Sequence, residues 1–215
     1  MKRASLAVTL SAALCCSLFA TLVPITPVGY INILLRPGFN LISIPLKMPN
    51  SEIAEVFGAG HDLPDGLTIY IMENGQFYGT TYSASAGQFE PSTIARKTIP
   101  PGRAFFVYNP LQSQLTLAFA GEIPTGQLTN SLPDGFSAVA PMIPRSGTLS
   151  AHGFPTAPRD VIYFWDATNQ VFRGSTFDDI DGAWLSREES VSPGEGFILF
   201  KREAVDWIID FELQF

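Results

Sequence analysis

The chain has 215 residues, 13 Lys and Arg against 20 Asp and Glu, and a net charge of −7. No basic stripe interrupts that acidity, so a nucleic acid partner, which needs clustered positive charge, is disfavoured. The two cysteines, Cys15 and Cys16, both fall in the first twenty residues, so the rest of the chain must hold together by burial rather than by disulfides.

The N-terminus reads as an export signal. Lys2 and Arg3 precede an uncharged, Ala- and Leu-rich run over residues 4–19, closed by the small Ala20; the run is short for a membrane-spanning helix. Cleavage is expected after Ala20, with Ser17 as the alternative. A lipoprotein reading of Cys15 and Cys16 is disfavoured because Leu14, not a small residue, precedes Cys15. Residues 1–20 are thus expected to leave, with their two positive charges, and the protein is expected outside the cytoplasm: extracellular, periplasmic or on the cell surface.

Downstream the patterning is strand-like and punctuated by Gly and Pro. Residues 30–35 predict a strand leading into a turn at Pro37-Gly38, and residues 39–44 predict a second, largely buried strand. Asn50 or Ser51 predicts the cap of a short helix over 52–57. Residues 67–72 and 76–82 flank Glu73-Asn74-Gly75, a hairpin with Asn-Gly at its turn. Residues 104–108 and 114–119 predict two more strands.

Much of this then recurs. Gly38-Phe39-Asn40-Leu41-Ile42 returns as Gly135-Phe136-Ser137-Ala138-Val139, Phe77-Tyr78-Gly79-Thr80-Thr81-Tyr82 as Phe172-Arg173-Gly174-Ser175-Thr176-Phe177, and Pro101-Gly102-Arg103-Ala104-Phe105 as Pro193-Gly194-Glu195-Gly196-Phe197. The second hairpin carries two extra residues, which predicts a surface turn. Strands over 196–200 and 207–211 complete the second copy. The expected architecture is all-β: two tandem barrel- or sandwich-like modules, residues 21–124 and 125–215, packed together with minor short helices. The short joint between them rules out a flexible tether.

The frame formed by Gly-Phe-x-x-x, a Tyr-bearing hairpin and Pro-Gly-x-Gly/Ala-Phe resembles tandem modules in uncharacterised secreted β proteins of environmental, Verrucomicrobia-like bacteria. The resemblance implies export and a β fold. It implies no activity and supplies no catalytic residues.

Tests for chemistry leave few candidates. His61 and His152 occupy non-equivalent positions without ligand-spaced partners and read as solvated loop residues rather than a metal pair. No nucleophile elbow, zinc-protease helix or phosphate loop is present. Asp179, Asp181, Gly182 and Glu188 fall at places three, five, six and twelve of a calcium loop, but Phe177 occupies the first; calcium is the one cofactor the sequence suggests, and the competing reading is a solvated acidic turn. Asp178, Asp179, Asp181, Glu188, Glu189 and Glu195 are carboxylates that a glycosidase could use, with no spacing to select a pair.

The 17 Phe, 6 Tyr and 3 Trp mostly recur with the repeat and are expected in the core. Three less matched ones, Tyr78, Trp165 and Trp184, are candidates for a glycan-binding surface. Trp165 stands where copy one has Met72, Arg173 where it has Tyr78, and Trp207 aligns with Leu115. Alternation from Trp207 to the terminal Phe215 also resembles the last strand of an outer-membrane barrel, although the frequent prolines and the similar mid-chain pattern at Leu115, Leu117 and Phe119 disfavour membrane insertion. The sequence thus predicts a secreted or envelope-located, non-catalytic protein that binds a glycan or a surface protein. A polysaccharide-acting hydrolase is the first alternative and a membrane barrel the second. Open sheet edges additionally allow self-association between chains.

Overall fold

The computed structural model describes residues 27–58, 60–186 and 190–213; the expected signal, Glu188 and Phe215 lie outside them. The protein is mostly β. Module 1 contains β1 (Val28–Leu35), β2 (Gly38–Ser43), α1 (Ile53–Gly58), β3 (Thr68–Glu73), β4 (Gln76–Ser83), β5 (Gln88–Glu90), α2 (Ser92–Ala95), β6 (Ala104–Asn109) and β7 (Leu115–Glu122). Module 2 contains β8 (Gly126–Leu132), β9 (Gly135–Val139), β10 (Gly147–Thr148), a 3-10 turn (Ser150–His152), β11 (Val161–Asp166), β12 (Val171–Asp178), β13 (Ala183–Trp184), β14 (Ser190–Val191), β15 (Phe197–Lys201) and β16 (Val205–Phe211).

The duplication extends to topology. Module 1 forms a five-stranded sheet of order β2-β6-β3-β4-β5, and module 2 the same sheet as β9-β15-β11-β12-β13. Each is accompanied by an antiparallel two-stranded ribbon, β1-β7 in one and β16-β8 in the other. Each module is therefore sandwich-like. Along β1 and β7 inward residues alternate with exposed ones, the period expected of strands with one buried face.

Ribbon register corrects one sequence equivalence. Leu35 pairs with Leu115 and Ile33 with Leu117, whereas Leu132 pairs with Val205 and Asn130 with Trp207. Trp207 is thus the counterpart of Leu117, not of Leu115. Its indole is fully buried and donates to the His152 carbonyl at 2.8 Å, which satisfies the one polar atom that burying a Trp would strand.

The two cores are built from different parts. In module 1, Phe57 of α1 meets Phe89, Phe105 and Phe119 edge-on, and Asn50 caps the chain just before α1 by accepting the Glu52 N–H at 2.9 Å. Module 2 has the 3-10 turn rather than an α-helix between the corresponding strands; Phe154, from the segment after that turn, packs on Phe197 and Trp207 instead. Module 2 also buries an ion pair. Lys201 donates to Asp160 and to the Pro155 carbonyl, and both ionised residues are at most 2% exposed. The module 1 counterparts of Asp160 and Lys201 are Leu67 and Asn109, also buried but uncharged.

A third cluster joins the modules. Leu41, Ala104 and Phe106 meet Ala138, Ala140 and Ile198, with Tyr70, Met72, Tyr163 and Trp165 around them. These residues come from the sheet faces opposite the two cores. The recurrent aromatics therefore split: Phe89, Phe105 and Phe197 fill module cores, whereas Tyr70, Phe77, Tyr163 and Phe172 lie on the seam.

The seam has pseudo-two-fold symmetry. Ser43 donates its N–H to the Gly194 carbonyl at 2.9 Å, and its counterpart Ala140 donates to the Gly102 carbonyl at 3.0 Å. The bridge between Ile42 and Glu195 is mirrored by that between Val139 and Arg103. Reciprocal contact of this kind defines an isologous interface. It also explains the repeated Pro-Gly: both glycines sit at φ +92°, a conformation few other residues tolerate, and this aims each carbonyl at the other module. At the closest approach a Cβ on Gly196 would collide with that of its counterpart, Ala104, so one of the two positions must lack a side chain.

Candidate functional site

The symmetry breaks at one place, and a cleft opens there. On one side of the seam the gap is closed from within module 1. Arg103 donates to the Met72 carbonyl at 3.0 Å and to the Thr98 carbonyl at 3.1 Å, and lies 3.6 Å from the Glu73 carboxylate, which also pairs with Lys97 at 3.1 Å. Asn130 then reaches over from module 2 to the Gly102 carbonyl at 2.8 Å.

On the other side three of these closing groups are replaced. Glu195 stands at the position of Arg103, Asp166 at that of Glu73, and Ile33 at that of Asn130. An ion pair has become two like charges, which cannot close on each other. Each carboxylate turns to its own loop instead. Glu195 accepts the Ser192 N–H at 2.8 Å. Asp166 accepts the N–H groups of Thr168 and Asn169 at 3.0 and 3.1 Å and the Asn169 side-chain amide at 2.9 Å. Those bonds, led by the Asn169 side chain, hold the Asp166 carboxyl below its ordinary range.

What remains is a cleft of about 600 Å³ between the modules, within the range of small-ligand sites. Arg36, Asn40, Trp165, Asp166, Arg173 and Glu195 supply its polar and aromatic lining, with Ser190 and Ser192 beside them. Arg36 is held by its own turn. Buried Asn40 accepts the Arg36 N–H at 2.8 Å and donates to the Arg36 carbonyl at 2.8 Å and to that of Gly38 at 3.0 Å. The second copy cannot repeat this, because Pro133 replaces Arg36 and has no N–H; the Oγ of Ser137, at the Asn40 position, is buried without a partner among the described residues.

The three aromatics singled out from the sequence do not meet. Tyr78 is 40% exposed on β4, shares a face with core-facing Thr80 and Tyr82, and donates to Gln76 at 3.1 Å. Trp184 packs on the module 2 core and on Phe177. Trp165 lies in the seam: its ring meets Phe106 and Phe172 edge-on and its N–H donates to the Phe39 carbonyl at 2.8 Å. Only Trp165 lines the cleft. The hairpin expected as a surface turn exposes Thr168 and Asn169, and its end also joins the seam, because Gln170, just after the two-residue insertion, both accepts the Phe39 N–H at 2.9 Å and donates to the Phe39 carbonyl at 3.0 Å.

Asp179 and Asp181 lie in the turn between β12 and β13, where Asp178 accepts the Ile180 N–H at 2.8 Å; Glu188 lies outside the described residues. No group of three metal-ligating side chains occurs among the described residues. The histidines depart from the solvated reading. His61 lies against the Phe119 ring, and burial lowers its pKa. His152 is 1% exposed, and neither ring nitrogen has a partner among the described residues. Burial, and secondarily the charge of Arg145, hold it below its ordinary value.

Sequence reasoning included Glu195 among many carboxylates but missed Arg36, Asn40 and Asp166. The signal was available: the repeat aligns Pro-Gly-Arg-Ala with Pro-Gly-Glu-Gly, and a charge reversal at a repeated turn marks a place where two copies have diverged. Compared with known proteins, the chain matches no family model, no curated protein and no solved structure.

Proposed function

We propose that the protein is an exported, non-catalytic binding protein whose ligand, a glycan, occupies the cleft between the modules. The observation that carries this reading is the broken symmetry. A duplicated interface that closes itself with Arg103, Glu73 and Asn130 on one side is open on the other, and the open side is lined by donors, acceptors and an indole. Guanidinium, carboxylate and hydroxyl groups side by side suit a polyhydroxylated ligand, which needs both donors and acceptors.

Two observations favour binding over hydrolysis. A glycosidase needs one carboxyl with a raised pKa as acid, whereas Asp166 is held low by its loop and Glu195 is engaged with Ser192. The distribution of the described strands over five separate sheets favours this reading over the membrane barrel, which requires one closed sheet. Export rests on the N-terminal run alone.

The test is titration of the protein with a glycan array and with soluble oligosaccharides, followed by intrinsic fluorescence, since Trp165 lines the cleft. Binding that shifts the emission, is weakened by Glu195→Gln and releases no reducing sugar is the expected result. Release of reducing ends would overturn the non-catalytic reading, and a flat fluorescence trace across the panel would remove the cleft as the site.

A further inference from the structure

We infer that the cleft selects glycans bearing an isolated carboxylate, such as a single uronic acid residue, through the guanidinium of Arg36. This rests on the glycan-binding reading of the cleft and deepens it.

The argument begins with which charges are already spent. Both oxygens of Asp166 are taken by the hairpin, and Glu195 holds the Ser192 turn. Arg36 also lines the cleft, yet among the described residues its guanidinium has no hydrogen bond or ion pair; the bonds made by this residue are through its backbone, to Asn40. That backbone is fixed at both polar atoms by a side chain that is itself buried. A guanidinium carried on a rigid turn, lining the cleft with no hydrogen bond or ion pair of its own among the described residues, is available to a planar carboxylate. Copy two has Pro133 at this position, so the group is peculiar to the open side.

The surroundings limit the ligand. Asp166 and Glu195 share the cleft with Arg36 and Arg173, so the lining carries no excess of positive charge, and the net charge of −7 disfavours a densely charged chain; one carboxylate in an otherwise neutral glycan limits that repulsion. An extended acidic peptide is the competing occupant. Such peptides gain affinity by adding a strand to a free sheet edge, but the edge of β2 that borders the cleft is already bridged at Ile42 by Glu195, and Ser43 bonds Gly194. The hydroxyls of Ser190 and Ser192 complete a lining suited to sugar rather than to backbone.

The experiment compares oligosaccharides carrying one glucuronic acid with the same compounds after reduction of the carboxyl to an alcohol, by calorimetry, on the wild-type protein, Arg36→Gln and Arg36→Lys. The acidic form is expected to bind about 10- to 100-fold more tightly, the discrimination that one charge-assisted pair supplies. Arg36→Gln should abolish the preference, weakening the acidic form far more than the reduced form, and Arg36→Lys should restore it in part. Equal binding of the two forms by wild type overturns the carboxylate inference and leaves the cleft reading intact. A preference that survives Arg36→Gln assigns it elsewhere and overturns the inference as well. Binding of acidic peptides in place of glycans, or of no ligand at all, overturns both readings. Arg36 is exposed and its side chain makes no described contact, so its variants should melt with the wild type.

Discussion

The two flanks of the intermodule seam began as the same structure and now do different things. On the flank closed by Arg103, opposite charges at two repeated positions bind each other, and Asn130 seals the gap with a hydrogen bond. On the flank carrying Glu195 the same two positions hold like charges, each satisfied by its own loop, and the space between modules stays open. A reversed charge and a lost hydrogen-bonding side chain together distinguish the cleft from the seal. In a duplicated fold, sites arise where one copy stops making the contact that the other still makes.

That comparison can be tested first where the copies differ most in energy. Asp160→Leu alone leaves Lys201 buried without its counter-charge and is expected to cost about 3–5 kcal/mol in chemical denaturation. Adding Lys201→Asn installs the Leu67 and Asn109 pair of module 1 and should recover most of that loss; failure to recover would show that the copies are not interchangeable at this position. Next is the contact at the pseudo-axis. Gly196→Ala should cost about 1–3 kcal/mol by overpacking against Ala104, and Ala104→Gly in the same chain should relieve it. Independent, additive effects would mean that the two residues do not share the axis.

The third test separates the histidines. Well above pH 6.5 both the folded and unfolded forms of His152 are neutral, and it adds no pH dependence. As pH falls below 6.5, the unfolded value, the unfolded chain takes up a proton that the folded one resists, so stability should decline through the window down to the lowered folded pKa. His152→Leu should flatten that decline more than His61→Leu, because His152 is the more buried of the two; an unchanged slope between pH 7 and pH 5 would contradict the buried, neutral imidazole. The smallest effect belongs to the asymmetric hairpin. Gln170→Ala removes the paired bonds to Phe39 and should cost about 1 kcal/mol, with increased hydrogen exchange at the Phe39 amide. No change there would show that the hairpin contributes nothing to the seam.

Much of the fold was legible because its signals are local. The alternation in the ribbons, the Asn-Gly turn, the short helix after Asn50 and the recurrence of Gly-Phe and Pro-Gly predict elements that the structure contains, with ends displaced by up to three residues, as where β7 runs on to Glu122. The site was legible only in part. Trp165 stood out as an unmatched aromatic, but its partners Phe39 and Phe106 are more than fifty residues away, and nothing in its spacing distinguishes a ring in a seam from one on a surface. Tyr78 and Trp184 stood out for the same reason and lie on different faces. His152 reads as a loop residue because its neighbours in sequence are polar or small, while the residue that covers its backbone, Trp207, arrives from the last strand.

By itself, the sequence determined the period-two patterning, the turns and the duplication, because each depends on residues a few places apart or on direct comparison of two segments. Tertiary structure decided which sheet faces become cores and which become the seam, and that the copies meet across a pseudo-two-fold axis. It also decided that an arginine in one copy closes a gap which a glutamate in the other leaves open. Those outcomes depend on contacts between residues from 28 to 152 positions apart, whose energies no local pattern encodes.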